Sequence, residues 1–173
     1  MKYKAGDVLL FKPFERDTVG FLVSLFSNMG DYCHAAVYTG NNRIVEAKPK
    51  TGVSTRLLTN LDYEYIVPFY MPLLTNPEIY RLIRYLMLQV KDKVEYDTIG
   101  LIPAFFHSVL GGIFKNKEYQ KAKGILNDTK KVFCSDLVGT SFYEVLSIEI
   151  HPTIYHTNIT PNDLANSLLV RRK

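Results

Sequence analysis

Short runs of apolar and β-branched residues, each followed by turn residues, dominate the first part of the chain and predict β-strands. The runs are Val8–Phe11, Cys33–Thr39, Arg43–Ala47, Val53–Arg56 and Tyr63–Tyr70. Gly40-Asn41-Asn42 separates the second run from the third, and Gly and Asn tolerate the positive φ angles of a tight hairpin. The pattern predicts a small antiparallel β-sheet or half-barrel.

Helical periodicity replaces the strand pattern later in the chain. Asn76-Pro77 has the residue types of an N-cap and a first helical position, and the apolar residues that follow recur on one face. Further helices are predicted over Phe133–Leu146, after Thr160-Pro161, and over residues 18–28. Strands first, with helices between and after them, indicate an α+β fold in which the sheet packs against helices.

Length and composition are those of one soluble globular domain. The chain has 173 residues, of which 47% are hydrophobic and 22% charged, enough to bury a sizeable core. We expect a single domain over residues 1–173. The segment 98–131 begins with an apolar stretch, Ile99–Phe114, and ends with a basic one, Lys115–Lys131. It is predicted to be an insertion or lid.

Charge and cysteine content bear on the partners and the cellular compartment of the protein. The formal net charge of +4 is a mild bias, and no nucleic-acid partner is expected. Two cysteines in a chain of this length favour a reducing compartment. With no apolar signal region at the N-terminus, and no run of about 18 apolar residues, the protein is expected to be cytoplasmic.

The candidate chemistry centres on Cys134, which lies where an apolar run meets a predicted helix. A free thiol titrates near ~8.5, and a helix N-terminus or a neighbouring imidazolium lowers that pKa. His34 begins a predicted strand and could supply the imidazolium, while Glu46 on the next strand could orient the ring. The sequence has no Gly-rich phosphate loop, no G-x-S-x-G elbow and no C-x-x-C pair. We therefore expect neither a metal nor a cofactor.

Hairpin register decides whether Glu46 can reach His34. If Gly40-Asn41-Asn42 is a three-residue loop, Thr39 pairs with Arg43 and Ala36 pairs with Glu46. His34 then lies on the same face as Glu46, diagonally offset by roughly 7–8 Å between Cβ atoms. A two-residue loop reverses the parity and turns Glu46 to the opposite face.

Strand parity separates the two cysteines. Cys33 precedes His34 on a strand, so the two side chains point to opposite faces and cannot easily share a proton. Cys134 has no such conflict. A lone cysteine is also commonly a small buried hydrophobe, and for Cys134 the residues alone leave that alternative open. The remaining histidines, His107, His151 and His156, show no partner pattern.

Five motifs, in this order, resemble the circularly permuted NlpC-type, papain-like cysteine peptidases and amidases. They are Gly6-Asp7-Val8-Leu9-Leu10-Phe11, His34-Ala35-Ala36-Val37-Tyr38-Thr39-Gly40, Val45-Glu46-Ala47, Tyr96-Asp97 and Phe133-Cys134-Ser135-Asp136-Leu137-Val138. The resemblance covers roughly residues 5–165. In the usual papain-like order the cysteine comes first, whereas here the histidine hairpin precedes it.

The resemblance implies a permuted papain-like core and a Cys-His-Glu triad. Cys134 would be the nucleophile, His34 the general base and acid, and Glu46 the residue that orients the imidazole. Tyr96 would lie in the substrate pocket beside the cysteine, and Asp7 would brace the first strand. The implied function is a thiol hydrolase, a peptidase or amidase, that acts on peptide-like amide bonds.

Two alternatives remain at this level. The same layout is similar to the lecithin–retinol acyltransferase group, which implies a lipid-directed acyltransferase or thioesterase with an acyl substrate. The apolar stretch 99–114 could then lie at a membrane surface, although a buried helix or pocket lid is the favoured explanation of it. The third possibility is a binding module with a decayed site. The sequence does not indicate an oligomeric state.

Overall fold

The computed structural model describes residues 3–13, 31–59, 62–72, 74–97, 131–151, 154, 156, 159–167 and 171–172. In chain order its elements are β1 (Val8–Phe11), β2 (His34–Gly40), β3 (Arg43–Lys48), β4 (Gly52–Leu57), α1 (Asp62–Tyr65), β5 (Ile66–Tyr70), α2 (Asn76–Lys91), β6 (Glu95–Tyr96), β7 (Lys131–Val132), α3 (Cys134–Leu146), α4 (Pro161–Ala165) and β8 (Arg171–Arg172). Six strands form one antiparallel sheet in the spatial order β4-β3-β2-β1-β5-β8, and β6 and β7 form a separate parallel pair. The predicted α+β fold is confirmed.

Both faces of the central strands are buried, which explains why β1 and β2 are almost continuously apolar. On one face, Val8, Leu10, Ala35 and Val37 pack in a cluster with apolar residues of α2 and α3. On the other face, a second cluster buries Tyr3, Leu9, Phe11, Ala36, Tyr38, Ile44, Leu58 and Ile66. Alternation along β2 assigns His34 to this second face. The candidate site is therefore built at the edge of a packed core.

Side-chain capping explains two of the differences between predicted and observed boundaries. The expected strand Tyr63–Tyr70 begins with the single turn of α1, because the Asp62 carboxylate accepts hydrogen bonds from the amide and hydroxyl of Thr59 at 2.6 and 3.0 Å. The N-cap of α2 is Thr75 rather than Asn76. Its amide and hydroxyl donate to the Glu78 carboxylate at 2.9 and 2.7 Å, which completes a capping box.

Other local predictions were confirmed. Thr160 is the N-cap of α4 and Pro161 its first residue. The predicted helix over residues 18–28 lies outside the described residues, as do residues 98–130 of the expected insertion or lid, and single-domain organisation stays a prediction. None of the helices within the described ranges is long and apolar enough to cross a membrane.

The turn between β2 and β3 is one residue shorter than predicted. Gly40, not Thr39, pairs with Arg43. The two residues between them, Asn41 and Asn42, have φ angles of 49° and 58°, as a two-residue type I′ turn requires. Asparagine adopts this left-handed conformation more readily than most residues, so the pair can form the turn without glycine at either position.

A β-bulge nevertheless keeps the predicted face. The register shifts between Tyr38 and Gly40, which places one extra residue on β2. The extra residue compensates for the shorter turn, and Ala36 pairs with Glu46 as predicted. His34 and Glu46 thus share a face, although the predicted loop length was wrong.

Gly52 joins the sheet to β6 through a very close backbone approach. Its φ angle is +63°, and a Cβ atom placed on it would lie 2.4 Å from the Val94 carbonyl oxygen. We expect Gly52→Ala to lower the free energy of unfolding by about 3 kcal/mol, from left-handed strain plus the clash, as measured by urea denaturation. Gly40→Ala is the matched control, because Gly40 has φ +96° with nothing within 4 Å of its added Cβ. If the two variants lost the same free energy of unfolding, the proposed clash with the Val94 carbonyl oxygen would be contradicted.

Candidate active site

Cys134 is the first residue of α3, as predicted. Phe133, in extended conformation, is its N-cap, and the Phe133 carbonyl accepts a 2.9 Å hydrogen bond from the amide of Leu137. The first amides of a helix have no carbonyl partner within it and carry the positive end of the helix dipole. The buried Cys134 thiol, 5% exposed, is therefore placed where negative charge is favoured.

Two anchors fix the start of this helix. The β7 residue Val132, two residues before the cysteine, pairs with Tyr96 of β6. The Ser135 hydroxyl donates to the Ile159 carbonyl at 2.6 Å, and both residues are fully buried. Because these contacts hold the residues on either side of Cys134, the position of its sulfur depends on core packing rather than on a surface loop.

His34 connects Cys134 to Glu46. Its Nε2 lies 2.9 Å from Glu46 Oε2, and its ring packs against Phe11 with a centroid distance of 5.3 Å. The imidazole also forms a side-chain hydrogen bond with the Cys134 sulfur. Since Nε2 is engaged by the carboxylate, Nδ1 is the ring nitrogen left to face the thiol.

Glu46 is buried, with 1% of its side chain exposed, and it contacts three groups that carry or can carry positive charge. Oε2 accepts from His34, while Oε1 lies 2.8 Å from Arg56 Nε and 2.9 Å from Lys48 Nζ. A buried carboxylate is costly unless it is paired and hydrogen-bonded. These contacts meet that requirement and fix the carboxylate against the imidazole.

Arg56 is held on both sides of its guanidinium. Its Nε donates to Glu46, and its Nη1 lies 2.8 Å from each carboxylate oxygen of Asp62. The guanidinium carbon also lies 5.5 Å from the centroid of the Phe11 ring. The side chains thus alternate in charge from Cys134 through His34, Glu46 and Arg56 to Asp62, and we call this row the charge ladder.

The electrostatics of the ladder favour a thiolate–imidazolium pair. Burial lowers the pKa of His34, but the Cys134 charge, its hydrogen bond and the Glu46 carboxylate outweigh burial and raise that pKa to about 9. Burial likewise raises the pKa of Cys134, but the His34 charge and hydrogen bonds from His34, Ala35 and Ser135 lower it below its ordinary value. The pKa of Glu46 is lowered despite its burial, because it pairs with His34 and Arg56.

Tyr96 lies near the cysteine, because it pairs with Val132, two residues before Cys134. Burial, followed by the charges of Cys134 and Asp97, raises the pKa of its phenol. The hydroxyl therefore stays protonated and can act as a hydrogen-bond donor near the sulfur. Its role in substrate binding stays a prediction.

A pair of buried carboxyl groups near the site was missed by sequence reasoning. Asp97 and Asp136 are 6% and 2% exposed. Burial, reinforced by the Asp97 charge, raises the pKa of Asp136 to about 7, although hydrogen bonds from Thr140 and the Phe133 amide favour its ionised form. The only sequence signal is adjacency, since Asp97 follows Tyr96 and Asp136 lies two residues after Cys134.

Arg56 and Lys48 were also missed, although the hairpin register could have found Arg56. The three residues 49–51 join β3 to β4, with Lys48 paired with Gly52 and Ile44 paired with Arg56. Arg56 is therefore diagonal to Glu46 on the same face. Counting the register one strand further along the chain would have predicted the contact.

The other residues considered earlier have structural contacts away from the ladder. The Asp7 carboxylate accepts from the Lys4 amide at 2.7 Å and closes a turn before β1. Neither Cys33 nor Cys134 forms a disulfide, and the Cys33 sulfur lies 3.5 Å from the Phe11 carbonyl oxygen. His156 pairs with a carboxylate at 3.0 Å, and His107 lies outside the described residues.

Comparison with known proteins supports the fold and does not extend to an activity. No family model and no curated protein matches the chain. Its fold is similar to the crystal structure of metalloprotein yiiX from Escherichia coli O157:H7, with a TM-score of 0.65 and 11% sequence identity. The match covers 100% of this chain and 97% of that one. At this identity the likeness shows a shared architecture only.

Proposed function

We propose that this protein is a cysteine hydrolase, a peptidase or amidase, that acts on peptide-like amide bonds. The observation that carries the proposal is the charge ladder, in which Cys134 and Glu46 are buried. A thiol at a helix start with a lowered pKa contacts a histidine with a raised pKa, and a carboxylate lies 2.9 Å from that histidine. A nucleophile, a base and an orienting group in mutual contact are what covalent acyl transfer requires.

In the proposed acylation step, the Cys134 thiolate attacks the carbonyl carbon of the amide and forms a C–S bond. The carbonyl π electrons move to oxygen, where backbone amides at the start of α3 stabilise the oxyanion. His34 donates its proton to the amide nitrogen as the C–N bond breaks. The amine leaves, and a thioester remains on Cys134.

In the proposed deacylation step, neutral His34 accepts a proton from water, and the hydroxide that forms attacks the thioester carbonyl. The C–S bond breaks, the carboxylic acid product leaves, and thiolate and imidazolium are restored. Glu46 stays ionised throughout, because its pKa is held low by His34 and Arg56. Its part is to orient the ring and stabilise the imidazolium.

The resemblance to permuted NlpC-type enzymes supports this proposal and gives Tyr96 a place in the substrate pocket. The Tyr96 phenol lies close enough to Cys134 for the charge on sulfur to raise its pKa. A reducing compartment such as the cytoplasm suits the proposal, because the nucleophile must remain a free thiol.

The donor set at the ladder does not fit a metal ion, although the structural neighbour is a metalloprotein. His34 Nε2 is taken by Glu46, and the Glu46 oxygens are already occupied by His34, Arg56 and Lys48. Within the described part of the chain, no three His, Cys, Asp or Glu side chains are grouped to hold a metal. We therefore derive no step through a metal.

Alkylation of Cys134 by iodoacetamide tests the proposal without a substrate. Because its pKa is lowered, a larger fraction of Cys134 should be thiolate at pH 6 than of an ordinary thiol, and its labelling rate should rise less steeply from pH 6 to pH 8. His34→Ala leaves burial to raise the thiol pKa. We expect it to slow labelling at pH 6 by at least about tenfold, which corresponds to one pKa unit.

Mass spectrometry of a Cys33→Ala background assigns the label to Cys134 and removes the other thiol. The rate should fall only as the pH drops through the lowered pKa of Cys134. A rate that instead rises tenfold per pH unit from 6 to 8 would mean an ordinary thiol, and the proposed function would have to be abandoned.

A further inference from the structure

The outward face of α2 combines exposed apolar residues with positive charge. Seven exposed residues lie within one 120° arc of this helix at 100° per residue, which we call the α2 outer face. They are Pro77, Tyr80, Arg81, Arg84, Met87, Leu88 and Lys91. Nothing in the charge ladder involves this helix, so the composition of the face needs a different explanation.

Every charged residue on the α2 outer face is a cation. The helix has one acidic residue, Glu78, whose carboxylate accepts from the amide and hydroxyl of Thr75 and also interacts with the Arg81 charge. Arg84 and Lys91 therefore have no acidic residue three or four positions away on this helix. An ordinary solvated helix face mixes charges of both signs in pairs three or four residues apart. The uniform sign indicates a partner that carries negative charge.

The apolar residues of this face are large and well exposed. Tyr80 is 68% exposed, and Met87 and Leu88 are each 44% exposed. Three of the six exposed large hydrophobics in the described chain therefore lie on this one face. These three side chains are not part of the hydrophobic core. The residues of α2 that are buried in the core are Leu82 and Leu86, on the inner side of the helix. Clustered exposed apolar groups among cations mark an interaction surface.

We propose that the α2 outer face docks on the surface of an anionic lipid bilayer. Arg81, Arg84 and Lys91 would lie at the level of the phosphate headgroups, with their aliphatic stems along the apolar boundary. Met87 and Leu88 enter that boundary, and Tyr80 lies at the interface with its hydroxyl in water. The helix lies in the plane of the surface.

A bilayer fits this face better than nucleic acid does. Phosphate contacts alone account for cations but leave Met87 and Leu88 exposed to water, whereas a bilayer interface satisfies both groups of side chains. The proposal does not depend on the proposed hydrolase chemistry, because no residue of the charge ladder lies on α2. Docking would suit a lipid-directed substrate and equally a peptide substrate near a membrane.

Co-sedimentation with large vesicles tests the proposal on the full chain. In low salt, we expect binding to vesicles made of about 70% phosphatidylcholine and about 30% phosphatidylglycerol, and no binding to vesicles of phosphatidylcholine alone. Two double variants, Arg84→Gln with Lys91→Gln and Met87→Ser with Leu88→Ser, should each weaken binding at least about tenfold. Arg43→Gln with Lys50→Gln is the matched control, since it removes the same charge from exposed positions on the β-hairpins and should change binding less than threefold.

A fluorescence measurement locates the face directly, because the chain contains no tryptophan. Tyr80→Trp introduces a single reporter on the α2 outer face. Its emission should shift to the blue and be quenched by brominated lipid in the anionic vesicles. Tyr70→Trp, at another exposed position, should show neither change.

Three outcomes would overturn the proposal. The first is no sedimentation of folded protein with anionic vesicles. The second is binding that survives Met87→Ser with Leu88→Ser, which would indicate a merely basic surface. The third is quenching at position 70 and none at position 80, which would assign the contact to another face. A Cys134→Ser protein should bind as well as the parent, so failure of the hydrolase proposal and failure of this one are separable.

Discussion

Replacing Cys134 with alanine is expected to lower the rate of amide hydrolysis by at least about 10⁴-fold, the scale on which loss of a covalent nucleophile acts. The amides at the helix start can stabilise an oxyanion, but they cannot replace Cys134 as the nucleophile that forms the thioester. The measurement is amine release from a panel of short peptide amides, followed in wild type and variant at matched protein concentration. Circular dichroism should show an unchanged fold, since a small buried thiol tolerates alanine.

Cys33→Ala is the matched control, because it removes the other of the two cysteines. It should keep activity within about threefold, since Cys33 is not part of the ladder. Wild-type activity should persist through neutral pH and fall on the alkaline side as His34 loses its proton near its pKa of about 9. Full activity in Cys134→Ala, or loss of activity only in Cys33→Ala, would disprove the assigned nucleophile.

Replacing Glu46 with glutamine is expected to lower the free energy of unfolding at pH 7 by about 3 kcal/mol, the scale for removing one partner of a buried ion pair. Glutamine keeps the shape of the side chain but leaves Arg56 and His34 without their shared anion. Lys48 adds little to the loss, because 41% of its side chain is exposed and solvent screens its contact. Guanidinium denaturation of wild type and variant measures the difference.

The difference in free energy of unfolding between Glu46→Gln and wild type should become smaller as the pH falls. The folded-state pKa of Glu46 is lowered, so its contribution to stability is complete above its unfolded value near 4.5. The contribution is lost as the pH falls below that value towards the folded-state pKa. The gap between Glu46→Gln and wild type should therefore narrow from pH 6 to pH 3.

Glu64→Gln is the matched control, because Glu64 is an exposed glutamate on α1. It should change stability by less than about 0.5 kcal/mol at any of these pH values. A Glu46→Gln protein as stable as wild type at pH 6 would show that the buried carboxylate carries no net stabilisation. The ionised Glu46 carboxylate would then have a role other than stabilising the fold.

Local patterns predicted most elements, and their failures have local causes. Apolar runs found β1 to β4, and the Thr160 cap placed α4 correctly. The predicted start of β5 was wrong because the Asp62–Thr59 contact stabilises a helical turn in residues with high strand propensity. Propensity is a weak prior, and a specific side-chain cap overrides it.

The shared face of His34 and Glu46 shows how two errors can cancel. The sequence predicted the shared face only for a three-residue loop, whereas the chain makes a two-residue turn and adds a bulge on β2. Each change alone reverses side-chain parity, and together they restore it. Ala36 therefore pairs with Glu46, the pairing expected for a three-residue loop, although a two-residue turn alone was expected to turn Glu46 away.

By itself, the sequence determined the strands β1 to β4, the helix start at Cys134 and the α+β class, because periodicity and capping act between residues a few positions apart. Only the tertiary structure decided that Cys134 meets His34, which lies one hundred residues away in the chain. It also decided that Glu46 gathers Arg56 and Lys48. The shifted pKa values follow from those contacts, because burial and Coulomb interactions depend on distances in space that a linear pattern does not contain.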